Sequence, residues 1–126
     1  MFEKLELTRM AQALASYSGT RVETVARNIA NADTPGYRAM DMPAFGSIVE
    51  DSAFALRATR ANHLTSQSFR MPQAKPSGSD MAPNGNDVSL DAQMRQAMEA
   101  RQSHEMALAI YRSTSAIIRT SLGRNS

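Results

Sequence analysis

The stretch Asn28-Ile29-Ala30-Asn31-Ala32-Asp33-Thr34-Pro35-Gly36-Tyr37-Arg38 marks where a helix has to end, and the rest of the fold follows from it. Ile29 is the last member of an apolar stripe. Asn31 and Asp33 suit a helix exit, because their short polar side chains can bond the backbone groups that the last turn leaves free. Pro35 has no amide hydrogen and cannot continue the helix. Pro35-Gly36 fits the central pair of a type II turn, which requires a positive φ at Gly36. Tyr37 can then pack back on the helix while its hydroxyl finds a partner. The local physics allows two readings, a plain helix stop and a contact site.

Upstream of this stop, Leu7, Ala11, Leu14, Ser18, Val22, Val25 and Ile29 recur at steps of three and four. The pattern repeats from Leu7 to Ser18 to Ile29, an 11-residue period of about 3.67 residues per turn, close to a straight helix. Met10 and Tyr17 widen the stripe, and Gly19 is a weak point that leaves the phase intact. Residues 1–31 are therefore expected to be helical.

Downstream, residues 88–126 predict a second long helix. Ser89 can cap its first amides, and Asp91 sits where the helix dipole favours an anion. Leu90, Met94, Ala97, Arg101, His104, Leu108, Tyr111, Ser115, Ile118 and Leu122 follow at alternating steps of four and three, a heptad pattern. Ala107, Ile110, Thr114 and Ile117 form a second stripe, so the last part of the helix is apolar on two faces and expects neighbours on two sides. Such a helix would be about 50 Å long at ~1.5 Å per residue. A compact chain of this size has a radius of gyration of roughly 14 Å, so the helix would overhang it. The surplus apolar face points to an assembly; a helical hairpin with a loose insertion is the plainer alternative.

Residues 32–87 hold all 5 Pro and 4 of the 6 Gly. Within them, Ala53-Phe54-Ala55-Leu56-Arg57-Ala58-Thr59 alternates weakly and could form a short strand or hairpin arm. Residues 72–87, PQAKPSGSDMAPNGND, read as a linker with no packed structure. The expected fold class is mainly α, with the terminal helices pairing as an antiparallel coiled coil around an irregular middle that can hold a short β-hairpin.

Composition narrows function. The 126 residues include 9 Met, 4 Phe, 3 Tyr and no Trp, which suits helical interfaces better than a core packed around aromatics. The absence of Cys excludes a disulfide framework, a thiolate nucleophile and cysteine-based zinc sites. Net charge is +2, and it divides into +1 over 1–31, −1 over 32–87 and +2 over 88–126. That is not the clustered excess a nucleic-acid binder shows. Arg112, Arg119 and Arg124 are read as cations complementing a helix C-terminus. The start of the chain has Glu3 and Glu6 and no apolar h-region, so no Sec signal is read. No window approaches a membrane span.

No catalytic constellation is legible. His63 and His104 stand far apart with no carboxylate pattern around them, and His104 is read as a packed or partly exposed seam residue. Asp80, Asn84, Gly85 and Asp91 imitate four positions of an EF-hand loop. Ala82 and Val88 occupy other ligand positions, and Pro72 and Pro76 forbid the helix that should precede it. No metal, cofactor or catalytic residue is expected.

The exit stretch resembles the NIAN-x-x-TPGY signature of the bacterial flagellar axial proteins, the rod, hook and hook-associated family. Asn28, Ile29, Ala30, Asn31, Thr34, Pro35, Gly36 and Tyr37 carry the match. Residues 83–94, from Pro83-Asn84-Gly85-Asn86-Asp87-Val88-Ser89-Leu90 to Met94, resemble the passage opening the C-terminal helix of the short proximal rod members. Arg38, Gln93 and His104 depart from the usual pattern.

The resemblance implies a structural subunit of the flagellar rod, not an enzyme. It implies helical assembly with copies of itself and with other rod proteins, and contact with the adaptor that joins the rod to the MS ring. It also implies transport by the flagellar type III export apparatus to the basal body that crosses the periplasm. The neighbouring proximal rod protein, and a soluble helical-hairpin adaptor or secretion chaperone, are the alternatives. Subunit contacts are expected at Leu7, Leu14, Val22, Val25 and Ile29 on the first helix, and at Leu108, Ile110, Tyr111, Ile117, Ile118 and Leu122 on the second.

Overall fold

The computed structural model describes residues 2–55 and 69–123. Two long helices dominate it, α1 (Phe2–Ala30) and α3 (Leu90–Ser121). Between them lie β1 (Met40–Asp41), a shorter helix α2 (Phe45–Ala55) and β2 (Lys75–Pro76). Ser89 caps α3 as its sequence position requires, accepting the Ala92 amide at 3.5 Å.

The long helices pack antiparallel. Asn28 meets Gln93, Arg21 meets Glu99 and Ala15 meets His104, so α1 descends as α3 rises. The seam is made mostly of small side chains. Ala11, Ser18 and Val25 are buried on α1, and Gln93, Ala100, Ala107 and Thr114 on α3. Both sets step by seven, so each helix presents the same residue position to the other once every two turns. Small side chains let the two backbones approach closely. Ala107 is completely buried, and the Ser18 hydroxyl, also in the seam, has no hydrogen-bond partner.

The α3 seam runs through Ala107 and Thr114 of the second expected stripe and not along the first. Ala97, His104 and Ile118 from the expected stripe are half-buried beside the seam, while Leu90, Met94 and Leu122 are exposed at 51%, 58% and 66%. A stripe of large apolar residues marks where burial would gain most. Close helix approach instead places alanines at the centre and turns the long side chains outward.

The middle of the chain also differs. The two strands form a short antiparallel pair, Met40 opposite Pro76 and Asp41 opposite Lys75. They are not adjacent arms of a hairpin. Of the stretch expected to alternate, Ala53, Phe54 and Ala55 belong to α2, and residues 56–59 lie outside the described residues. Residues 75–84 are exposed, as the linker reading expects, but Ser77 donates its amide to the Ala39 carbonyl at 2.9 Å, and Asn86 and Asp87 at the end of the segment are buried.

Candidate functional site, a polar clasp between the helix ends

The end of α1 unwinds in steps that its residues dictate. The Asn31 amide still reaches Arg27 and Asn28 carbonyls, and its side-chain Nδ2 donates to the Arg27 carbonyl at 2.8 Å. Thr34 donates its amide to the Asn31 carbonyl and its hydroxyl to Asn31 Oδ1. The Tyr37 amide then closes a turn onto the Thr34 carbonyl at 3.2 Å, with Gly36 at φ 74°. The expected Pro35-Gly36 turn is therefore present.

Asn28 is the centre of the site. It is fully buried and its amide makes four bonds. Nδ2 donates to the Met40 carbonyl at 2.7 Å and to Gln93 Oε1 at 2.9 Å. Oδ1 accepts the Met40 amide at 3.0 Å and the Tyr37 hydroxyl at 3.1 Å. One side chain thus ties α1, the turn, β1 and α3 together. A buried amide is costly unless bonded, and this one is fully bonded.

A second amide holds the other half. Asn86 Nδ2 donates to the carbonyls of Asn31 and Thr34 at 2.9 and 2.8 Å, and its Oδ1 accepts the Val88 amide at 2.8 Å. Asp87 accepts the Ala39 amide through Oδ1, and its own amide donates to the Tyr37 carbonyl. Its other oxygen lies 4.0 Å from Arg38 and has no hydrogen bond. The Gly36 amide donates to the Asn84 carbonyl at 3.1 Å. A Cβ on Gly85 would stand 3.4 Å from Gly36 Cα, so glycine at Gly85, with φ 80°, lets two backbone turns touch.

Around this clasp, Arg21 lies between Asp41 at 3.6 Å and Glu99 at 3.9 Å. These pairs are partly exposed and contribute little individually. Tyr17 is buried, donates its hydroxyl to the Pro43 carbonyl at 2.5 Å and packs its ring on Phe45 at 5.4 Å. Burial raises the Tyr17 phenol above its ordinary value; the Arg21 charge opposes this and the Asp41 charge adds to it. His104 Nδ1 is 3.0 Å from the Ala15 carbonyl, so that nitrogen carries the proton.

The groups that converge here are amides, hydroxyls and one carboxylate, bonded mostly to one another and to backbone. Such an arrangement holds chain segments in register. Among the described residues no three His, Asp or Glu side chains gather as a metal site, and no helix is long and apolar enough to cross a membrane.

The signature residues thus lie together, with Asn28, Asn31, Thr34, Gly36 and Tyr37 all bonded within the chain, while Pro35 is exposed at the turn. The residues expected at subunit contacts divide. Val25 is buried in the seam; Leu14, Val22, Ile29, Leu108, Ile110 and Ile118 are half-buried; Leu7, Tyr111, Ile117 and Leu122 are exposed. Sequence reasoning missed Gln93, Asn86 and Asp87. The seven-residue spacing from Gln93 through Ala100 and Ala107 to Thr114 was the available signal for the first.

A family model described as "Flagella basal body rod protein" matches residues 18–38, the span from the seam to the turn. The chain is 31% identical over 124 residues to the flagellar basal body rod protein FlgB of Escherichia coli K12, covering 86% of this chain and 88% of that protein. It is 28% identical to FlgB of Salmonella typhimurium, over 87% of this chain and 88% of the relative. It is 26% identical to FlgB of Agrobacterium fabrum, over 88% of each.

Proposed function

The chain belongs to the FlgB family of flagellar basal body rod proteins, and from that premise we propose that it is a structural subunit of the proximal rod. It assembles helically with itself and with other rod proteins and transmits torque along that assembly. Its other neighbours are the adaptor between rod and MS ring and, in transit, the flagellar type III export apparatus.

The observation that supports this reading is the end of the helix pair remote from the clasp. Leu5, Leu7 and Met10 on α1 are 45–47% exposed, and Ile117 and Leu122 on α3 are 47% and 66% exposed. A helix pair that leaves this much apolar surface at one end is suited to neighbours. A free-standing adaptor or chaperone would be expected to cover it.

Ile117→Asp tests the reading. In the isolated chain the new charge stays in water, and the melting curve should barely move. In a packed subunit contact it is buried and unpaired, at a cost of about several kcal/mol. The variant should be exported at normal levels yet be absent from purified basal bodies, and cells carrying it should not swim. Normal motility and normal incorporation would show that this face is exposed and return the helical-hairpin adaptor to contention.

A further inference from the structure

Asn84-Gly85 is the one Asn-Gly pair in the sequence. A glycine after asparagine leaves its backbone nitrogen unhindered, so that nitrogen can reach the asparagine side chain. In the folded chain the reacting groups of the pair are engaged in hydrogen bonds. The Gly85 amide donates to the Ala82 carbonyl at 2.9 Å, the Asn84 carbonyl accepts the Gly36 amide, and Asn84 Oδ1 accepts the Asn86 amide at 3.1 Å. Asn84 itself is exposed, so water reaches it.

We propose that Asn84 is a self-modification site that the closed clasp guards. In a chain whose clasp is open, the Gly85 nitrogen loses its proton and attacks Asn84 Cγ. The N–Cγ bond forms, the Cγ–Nδ2 bond breaks, and ammonia leaves with the proton. Water then opens the five-membered imide at either carbonyl, leaving an aspartyl or an isoaspartyl residue. In the closed clasp the attacking amide is bonded to Ala82 and the turn is clamped against Gly36, so the ring cannot form without local opening.

The product works against closure. Either form adds a negative charge three residues from buried Asp87. The isoaspartyl form also lengthens the backbone by one atom within the segment whose carbonyl receives the Gly36 amide. A chain that cyclises before it folds is thereby barred from the native clasp, so the reaction limits how long an unfolded chain stays usable.

Three samples test this: the native chain, the chain in denaturing urea, and Asn28→Ala in buffer, with Asn84→Gln as the unreactive control. Peptide mass spectrometry and isoaspartyl methyltransferase labelling read conversion at Asn84. Conversion should be about tenfold or more slower in the native chain than in urea, with Asn28→Ala between them. Equal rates in the native chain and in urea, or no conversion in urea, would overturn the proposal. The modified chain is then refolded and its Gly36 and Asp87 amides followed by hydrogen exchange. Fast exchange is expected, and native-like protection would show that the modified turn still closes.

Discussion

Asn28 and Gln93 bond side chain to side chain at 2.9 Å, in the buried interior, across 65 positions of sequence. This pair sets the register of α1 against α3. The small side chains of the seam, Ala11, Ser18, Ala100 and Ala107, offer similar contacts from rung to rung and by themselves would let the helices slide by a turn at modest cost. A buried amide pair can be satisfied in one alignment only.

Asn28→Ala should therefore be among the most damaging single changes. It leaves Gln93 Oε1, both polar groups of Met40 and the Tyr37 hydroxyl without their partner, and each orphan costs about 1–3 kcal/mol if water cannot reach it. Tyr37→Phe removes one bond and keeps the ring, for about 1 kcal/mol. Urea titration of both variants checks the order; equal losses would mean that Asn28 acts through Tyr37 alone.

Ala107→Leu should destabilise by about 1–3 kcal/mol through overpacking, because Ala107 is completely buried where the helices are close. Met94→Ala should change stability by less than about 0.5 kcal/mol, since Met94 is 58% exposed. Thermal melts of the two variants decide the seam's phase. The opposite result would restore the stripe of large residues as the intrachain contact.

Gly36→Val and Gly19→Ala should move stability in opposite directions. Gly36 has φ 74°, a conformation that costs a side-chain-bearing residue about 1–2 kcal/mol, more for a β-branched one. Gly19 is helical, and a Cβ there meets nothing within 4 Å, so alanine should gain about 0.5–1 kcal/mol. Melting temperatures give the signs directly.

Stability should fall at alkaline pH through Tyr17. Its folded phenol is raised above the ordinary 10.0, so the unfolded chain loses the proton first. The contribution is complete below pH 10.0 and is lost as pH rises through the folded value. The phenolate also cannot donate to the Pro43 carbonyl. Tyr17→Phe should be less stable at neutral pH and should flatten the alkaline decline; an unchanged decline would show that Tyr17 does not carry it.

Both long helices were legible because their apolar steps and the Ser89 cap are local signals, and the turn because Pro35-Gly36 admits few conformations. The seam was not. Hydrophobic counting favours Leu90 and Met94, whereas close backbone approach favours Ala100 and Ala107, and only the seven-residue spacing carries that information. Residues 82–87 were opaque for a different reason. Asn86 and Asp87 look like solvated loop residues until Asn31, Thr34, Tyr37 and Ala39 are brought beside them, and those partners lie on the far side of the middle segment.

The placement of the clasp at one pole has a mechanical consequence. Force that pulls α1 and α3 apart from the other pole peels the alanine seam one rung at a time, so it meets little resistance at any moment. Force along the helix axis loads every rung at once, together with the Asn28–Gln93 tie. The molecule is soft to peeling and stiff to shear, and its two poles are not interchangeable. Any array of such chains laid down in one sense has a direction, with the knotted pole of each chain facing the same way.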